Sequence, residues 1–254
     1  MGIARDACIP LPRFGEFAIA TARGICYAPR QMSDIPNRPF IYDPPREPCL
    51  SVLHEAAHIL VLDKPAGLLS VAGKPAEHAD CLEARAGQRF GRVSMVHRLD
   101  RDTSGVIVLA RTREAHANLG LQFEHRKTRK SYLARVWGEM EQDEGQVDQP
   151  MIVDWPNRPR QMIDHERGRR AVTDWRVEAR EGGITRVRLF PLTGRSHQLR
   201  VHMLSLGHPI LGDSLYAHDQ AFEAANRLQL HAEELGFAHP ADGRETVFRS
   251  PAPF

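Results

Sequence analysis

The densest run of chemistry-bearing side chains is His97-Arg98-Leu99-Asp100-Arg101-Asp102-Thr103-Ser104-Gly105, which leads straight into the apolar segment VIVLA. Loops at strand ends are where a rigid scaffold holds reactive groups. An aspartate flanked by arginines has its ionised form favoured, which suits a nucleophile better than a general acid. The same spacing fits a plain surface turn, with Asp100 and Asp102 capping backbone amides and the arginines in solvent. Nothing in the spacing names the atom attacked.

A second constellation is PLTGRSHQLRVHMLSLGHPILGD, residues 191–213. Helical spacing places Leu199, Met203 and Leu206 on one apolar face and turns Arg200 about 100° away from Leu199. One reading sends Arg200 into a site to pair with a carboxylate; the other leaves it solvated. His197, His202 and His208 are not spaced as a ligand set and read as core or surface residues. Residues 54–58, HEAAH, match a zinc-protease pattern that needs both histidines on one helical face. Four apolar residues follow at once and Pro65 stops the run, so a turn between two strands is expected there, with no metal.

Positive charge is local. Residues 123–137 carry five basic side chains against one acid, and residues 158–170 five against two, with Tyr132, Trp137 and Trp155 nearby. Because the whole chain is almost balanced at +2, these stretches read either as a phosphate-tracking face or as solvated charge runs.

The elements that must position these groups are mostly short strands. SVLHEAAHILVLDKP, GVIVLA, SYLARVWG, AVTDWRVEAR and TRVRLFP are rich in β-branched or aromatic residues and bounded by turn formers. Helical spacing appears over residues 77–90, 114–125, 196–206 and 221–230. For the third helix, Thr193 and Ser196 offer capping hydroxyls and Gly207 stands where a left-handed C-terminal glycine belongs. Strands and helices do not alternate strictly, so an α+β fold with a mixed or largely antiparallel sheet is expected.

The chain of 254 residues is 42% apolar and 26% charged, which excludes a disordered or collagenous protein. Its longest apolar runs, residues 59–62 and 106–110, are far too short to span a bilayer. Four scattered cysteines, Cys8, Cys26, Cys49 and Cys81, suggest neither a disulfide scaffold nor a zinc ribbon, and a reduced cytoplasmic setting is expected. Eight of the 18 prolines fall in residues 1–48, which read as a leader and an extended strap, partly disordered, before a catalytic domain over residues 49–254. Met32 opens a second plausible start.

Four segments together resemble the RluA-type pseudouridine synthases: LDKPAGLLSVAG (62–73), HRLDRDTSGVIVLAR (97–111), RKSYLARVWG (129–138) and GRSHQLRVHM (194–203). DWPNRP (154–159) and HMLSLGHPILGD (202–213) are most similar to the short subgroup that modifies both 23S ribosomal RNA and transfer RNA anticodon stem-loops. The resemblance implies the fold, a bent mixed sheet with flanking helices and a central cleft. It implies Asp100 as nucleophile, Tyr132 as the tyrosine that stacks on the uracil and helps remove the C5 proton, and Arg200 as the basic partner of the aspartate. It further implies that Arg98, His97, Arg195 and Leu199 bind substrate, with Arg98 entering the RNA as the target base leaves the stack. Such an isomerisation requires no cofactor, a stacked uracil must be extruded to react, and nothing in the sequence suggests an obligate dimer, so a monomeric RNA-acting enzyme is expected. The rivals are a non-catalytic RNA-binding or assembly factor on this fold, a zinc hydrolase built on HEAAH, and an unrelated aspartyl-nucleophile hydrolase.

Overall fold

Residues 35–36 and 38–254 are described by the structure, a computed structural model. The leader expected over residues 1–31 and the start at Met32 lie outside the described residues. Residues 38–49 run without a regular element into β1 (Ser51–Glu55) and β2 (Ile59–Lys64). These two strands form an antiparallel hairpin whose turn is the HEAAH segment, as its flanking residues indicated. His54 lies on β1 and His58 precedes β2, so the two rings share no helical face.

Next come α1 (Leu82–Phe90), the two-residue β3 (Ser94–Met95), β4 (Ser104–Ala110) and α2 (Arg113–Glu124). The second helix starts at Thr112, whose hydroxyl accepts from the Ala115 amide at 3.1 Å. β5 (Arg129–Trp137), β6 (Glu144–Asp148), β7 (Met151–Val153), β8 (Gln161–Ile163), β9 (Val172–Glu181) and β10 (Ile184–Pro191) follow. The chain closes with α3 (Gln198–Ser205), α4 (Asp219–Glu223), β11 (Leu230–Ala238) and β12 (Glu245–Arg249).

One sheet organises the molecule in the order β1-β2-β4-β11-β5-β10-β9-β6, with β3 beside β4 and β12 beside β11. β2 and β4 are buried almost throughout, as expected of inner strands covered on both faces. Leu60, Leu62, Ile107 and Leu109 pack with Leu82 of α1 and with Leu99, while Ile59, Val61, Val106 and Val108 pack with Ala115 and Leu119 of α2. A separate core joins β5 and β10 to Leu199 and Met203 of α3. Tyr132 packs against that core and against the α1 core, so it stands at the seam between them.

Every pairing in this sheet is antiparallel except β4 with β11, which run parallel over Ser104–His231 and Gly105–Ala232. The mixed sheet of an α+β fold is therefore what the sequence pattern indicated. Two helical expectations need correction. The stretch over residues 221–230 is helical only at residues 221–223, the end of α4, because Gln229 instead donates to Leu211 and accepts from Arg135 as the chain enters β11. At the start of α3 neither Thr193 nor Ser196 is the cap. Thr193 Oγ1 accepts from the Val172 amide at 2.8 Å and donates to Gln198 Oε1 at 2.7 Å, and the capping position falls on His197. Gly207 does take the left-handed conformation, at φ 85°.

The β4–β11 joint depends on Gly105. Its φ is 115°, and a Cβ there would lie 2.2 Å from the Ala232 carbonyl oxygen. Gly105→Ala should therefore destabilise the fold by about 3 kcal/mol or more, the range of backbone strain compounded with a broken pairing. Urea unfolding checks this; a loss below about 1 kcal/mol contradicts the rigidity assigned to the joint.

Candidate active site

Asp100 sits on the loop between β3 and β4, and the preceding segment, residues 64–70, holds that loop by its backbone. Ser70 Oγ donates to the Leu99 carbonyl at 2.7 Å and accepts from the Leu99 amide at 3.2 Å. Lys64 is fully buried, and its ammonium donates to the carbonyls of Pro65, Leu68 and Arg101 at 2.9, 2.7 and 2.8 Å. Burial brings the Lys64 pKa down to about 7, while Asp102 and Asp100 pull it the other way. The Gly67 amide also donates to Arg101, and the Asp100 carbonyl accepts from the Thr103 amide at 3.2 Å to close the turn. With both neighbours of Asp100 clamped, little freedom is left except in its side chain.

The Asp100 carboxylate is 21% exposed, and Arg200 Nη1 is 3.7 Å from its Oδ2. Arg200 is only 3% exposed, so it is not the solvated residue of the plain helical reading. Its Nε and Nη2 reach Asp213 at 2.8 and 2.6 Å in a bidentate pair. Asp213 in turn accepts from the amides of Leu215 and Tyr216 at 2.9 and 3.1 Å. Burial works against both charges, yet their mutual attraction lowers the Asp213 pKa and raises that of Arg200, with Asp100 adding to the latter.

The other sequence-derived residues divide between this site and the scaffold. Tyr132 is half-buried at the seam, and burial with the nearby Asp100 charge pushes its phenol pKa well up. Leu199 is buried in the β5–β10 core against which Tyr132 packs. Arg98 is exposed, with no hydrogen bond or ion pair among the described residues. Arg195 is half-buried and donates through Nε to the Arg170 carbonyl at 3.1 Å. His97 turns to the α2 side of β4, where Nε2 accepts from the Val108 amide at 3.1 Å and the ring stacks on Phe123 at 4.4 Å. Burial, with Lys130, lowers its pKa to about 3. The flanking arginine of the plain reading is diverted: Arg101 pairs with Asp102 at 2.8 Å. No Asp100 carboxylate oxygen caps a backbone amide among the described residues.

Asp100, Tyr132 and Arg200 therefore meet from three separate elements around one partly open carboxylate. A sequence profile described as RNA pseudouridylate synthase matches residues 58–205, a stretch that contains all three. The chain belongs to this RNA pseudouridine synthase family. The synthase is thus an isomerase acting on RNA. The protein of Vibrio cholerae serotype O1 named dual-specificity RNA pseudouridine synthase RluA is 54% identical over 199 residues, 78% of this chain and 81% of its own. Proteins of that name from Yersinia pestis and Escherichia coli strain K12 are 52% and 51% identical, covering 80% and 84% of this chain and 99% and 98% of theirs. Among solved structures, human RNA pseudouridylate synthase domain containing 1 aligns with a TM-score of 0.68 at 27% identity, over 81% of this chain and 84% of that one.

Sequence reasoning about the synthase missed Lys64, Ser70, Asp213 and Tyr216. Lys64 and Asp213 stood inside quoted segments, LDKP and LGD; an ionisable residue amid apolar neighbours was the available signal. Because Asp213 neutralises a buried guanidinium, Asp213→Asn should lower stability by about 3–5 kcal/mol and turnover with it. Thermal and urea unfolding test this; a variant as stable as wild type shows the pair to be dispensable.

Proposed function

We propose that this synthase isomerises uridines in structured RNA, with 23S ribosomal RNA and transfer RNA anticodon stem-loops as its two substrate classes and Asp100 as nucleophile. The single observation that carries the assignment is the Asp100 carboxylate, partly open at 21% exposure yet 3.7 Å from a buried guanidinium. The substrate classes rest on the segments DWPNRP and HMLSLGHPILGD and on relatives named dual-specificity.

The chemistry asks little beyond these groups. The N1–C1′ bond breaks, the C5–C1′ bond forms, and the C5 proton leaves while N1 gains one; no oxidant, water or cofactor is consumed. A stacked uracil presents neither C1′ nor C6 to a carboxylate, so the nucleotide must be extruded at a cost of a few kcal/mol. Arg98, exposed two residues before Asp100, fits the role of filling the vacancy. Tyr132 offers its ring to the extruded base from the seam beside Asp100. Burial and the Asp100 charge raise its pKa further above the ordinary phenol value, which makes a phenolate base harder to form and favours stacking as its first duty. Arg200 sets a buried guanidinium 3.7 Å from Asp100 Oδ2, on the protein side of the carboxylate. Leu199 forms the apolar floor, and Arg195, at the head of the α3 segment, is placed for a phosphate contact; His97 supports the loop from behind.

The arrangement of domains is read the same way, with residues 49–254 catalytic and residues 1–48 a leader and strap. We take the protein to act as a monomer in the cytoplasm, where its RNA substrates and unpaired Cys49 and Cys81 fit. No helix among the described residues is long and apolar enough to cross a membrane.

Asp100→Asn should abolish release of tritium from uridine C5 while RNA binding stays within about twofold; normal release defeats the assignment, and a wild-type protein that binds RNA without release favours the assembly-factor reading. Tyr132→Phe separates two duties: an unchanged rate leaves stacking alone, whereas a loss of about 100-fold gives the hydroxyl a part in proton removal.

A further inference from the structure

His197 reads from the sequence as a plain core or surface residue, but its geometry is unusual. It begins α3 in the left-handed region, at φ 56° and ψ 15°, with no side-chain capping bond to the helix. A β-carbon makes that region unfavourable, and such conformations concentrate at functional sites. The ring is turned inward, 13% exposed.

Its neighbours accommodate a neutral ring with the proton on the nitrogen that faces Asp100. The Tyr216 hydroxyl accepts from the Gln161 amide at 2.8 Å, and His197 Nδ1 lies 2.7 Å from the same oxygen. With the amide filling one acceptor site of the oxygen, the hydroxyl proton is free to go to Nδ1, and in that arrangement the neutral ring carries its proton on Nε2. Burial lowers the His197 pKa against the opposing pull of Asp100, which keeps this form in place at neutral pH. Nε2 faces Asp100 Oδ1 at 4.0 Å, while Arg200 faces the other oxygen, Oδ2, at 3.7 Å.

Resting on the reading of Asp100 as nucleophile, we propose that His197 is a positioning residue: its Nε2–H takes Asp100 Oδ1 as Arg200 takes Oδ2, aiming the carboxylate at the extruded uridine. Both contacts exceed hydrogen-bond length in the free protein, and catalytic contacts of this kind tighten when substrate displaces water. Each carboxylate oxygen keeps a further lone pair for the substrate. A neutral donor fixes orientation without a second full positive charge, which would draw electron density from the attacking oxygen.

The test uses the full chain and an anticodon stem-loop RNA tritiated at uridine C5, with single-turnover release and RNA affinity measured separately. His197→Asn suits the left-handed backbone, but its amide ends near the Nδ1 position and does not reach Asp100. Release should fall by about 100-fold, the effect of a misplacement of about 1 Å, with affinity unchanged within about twofold. His197→Gln, whose amide nitrogen falls near the Nε2 position, should recover about tenfold of that loss. Tyr216→Phe, which frees the tautomer, should slow release by about tenfold at unchanged affinity. Wild-type rates in both His197→Asn and Tyr216→Phe overturn the proposal, as does a loss confined to RNA affinity or a Gln variant no faster than Asn. An active Asp100→Asn, or a wild type that releases no tritium, instead removes the reading on which the proposal rests.

Discussion

The buried pair of Arg200 and Asp213 is the constraint around which the site is arranged. A guanidinium at 3% exposure is untenable alone, and Asp213, fully enclosed, satisfies two of its nitrogens in a plane. That pairing fixes where the remaining nitrogen points, and it points at Asp100. The local sum is one cation between two anions, so the pair contributes less field than a free arginine would. Its value lies in aim: the guanidinium is immobile, and Asp100 meets it at a defined place.

The scaffold supplies the other half of that meeting. Asp100 hangs from a loop whose carbonyls are gathered by Lys64 and whose Leu99 peptide is gripped by Ser70. Arg200 comes from α3, and Tyr132 from β5 between the two cores. The β4 strand that follows the Asp100 loop and the β5 strand that carries Tyr132 share one sheet because β11 lies between them, joined in parallel to β4 across Gly105 and Ala232. A polar site is thus set on a frame made stiff by apolar burial on both sides, with the charged groups spread over elements that no short segment connects.

Much of this was legible from residue types and spacing. The apolar face of α3, the strand pair around HEAAH, the β4 segment and the left-handed Gly207 are local patterns, and local patterns survive folding. Asp100, Tyr132 and Arg200 were found through motifs that resemble a family, since their meeting depends on contacts between distant segments. Asp213 escaped because its partner is 13 residues away on a helix that only the fold brings round. His97 looked like part of the reactive loop, but the gap between β3 and the β11 pairing leaves a β4 amide to satisfy, and its imidazole fills that place. β11 carries His231, Glu233 and Glu234 within its nine residues, which hid its strand character behind charge.

The segment that crosses ahead of the sheet has a mechanical meaning. Arg38 is tied to the Ala217 carbonyl and to Asp219, and its guanidinium lies over Phe222. Four residues on, Tyr42 is tied to the Leu69 amide, and between them Ile41 is held by Arg101 of the Asp100 loop. Four residues extend at most about 14 Å, and Pro39 stiffens them further. The α4 corner and the Leu69 turn are therefore on a short leash, and any breathing of the molecule that drives them apart must first undo these ties.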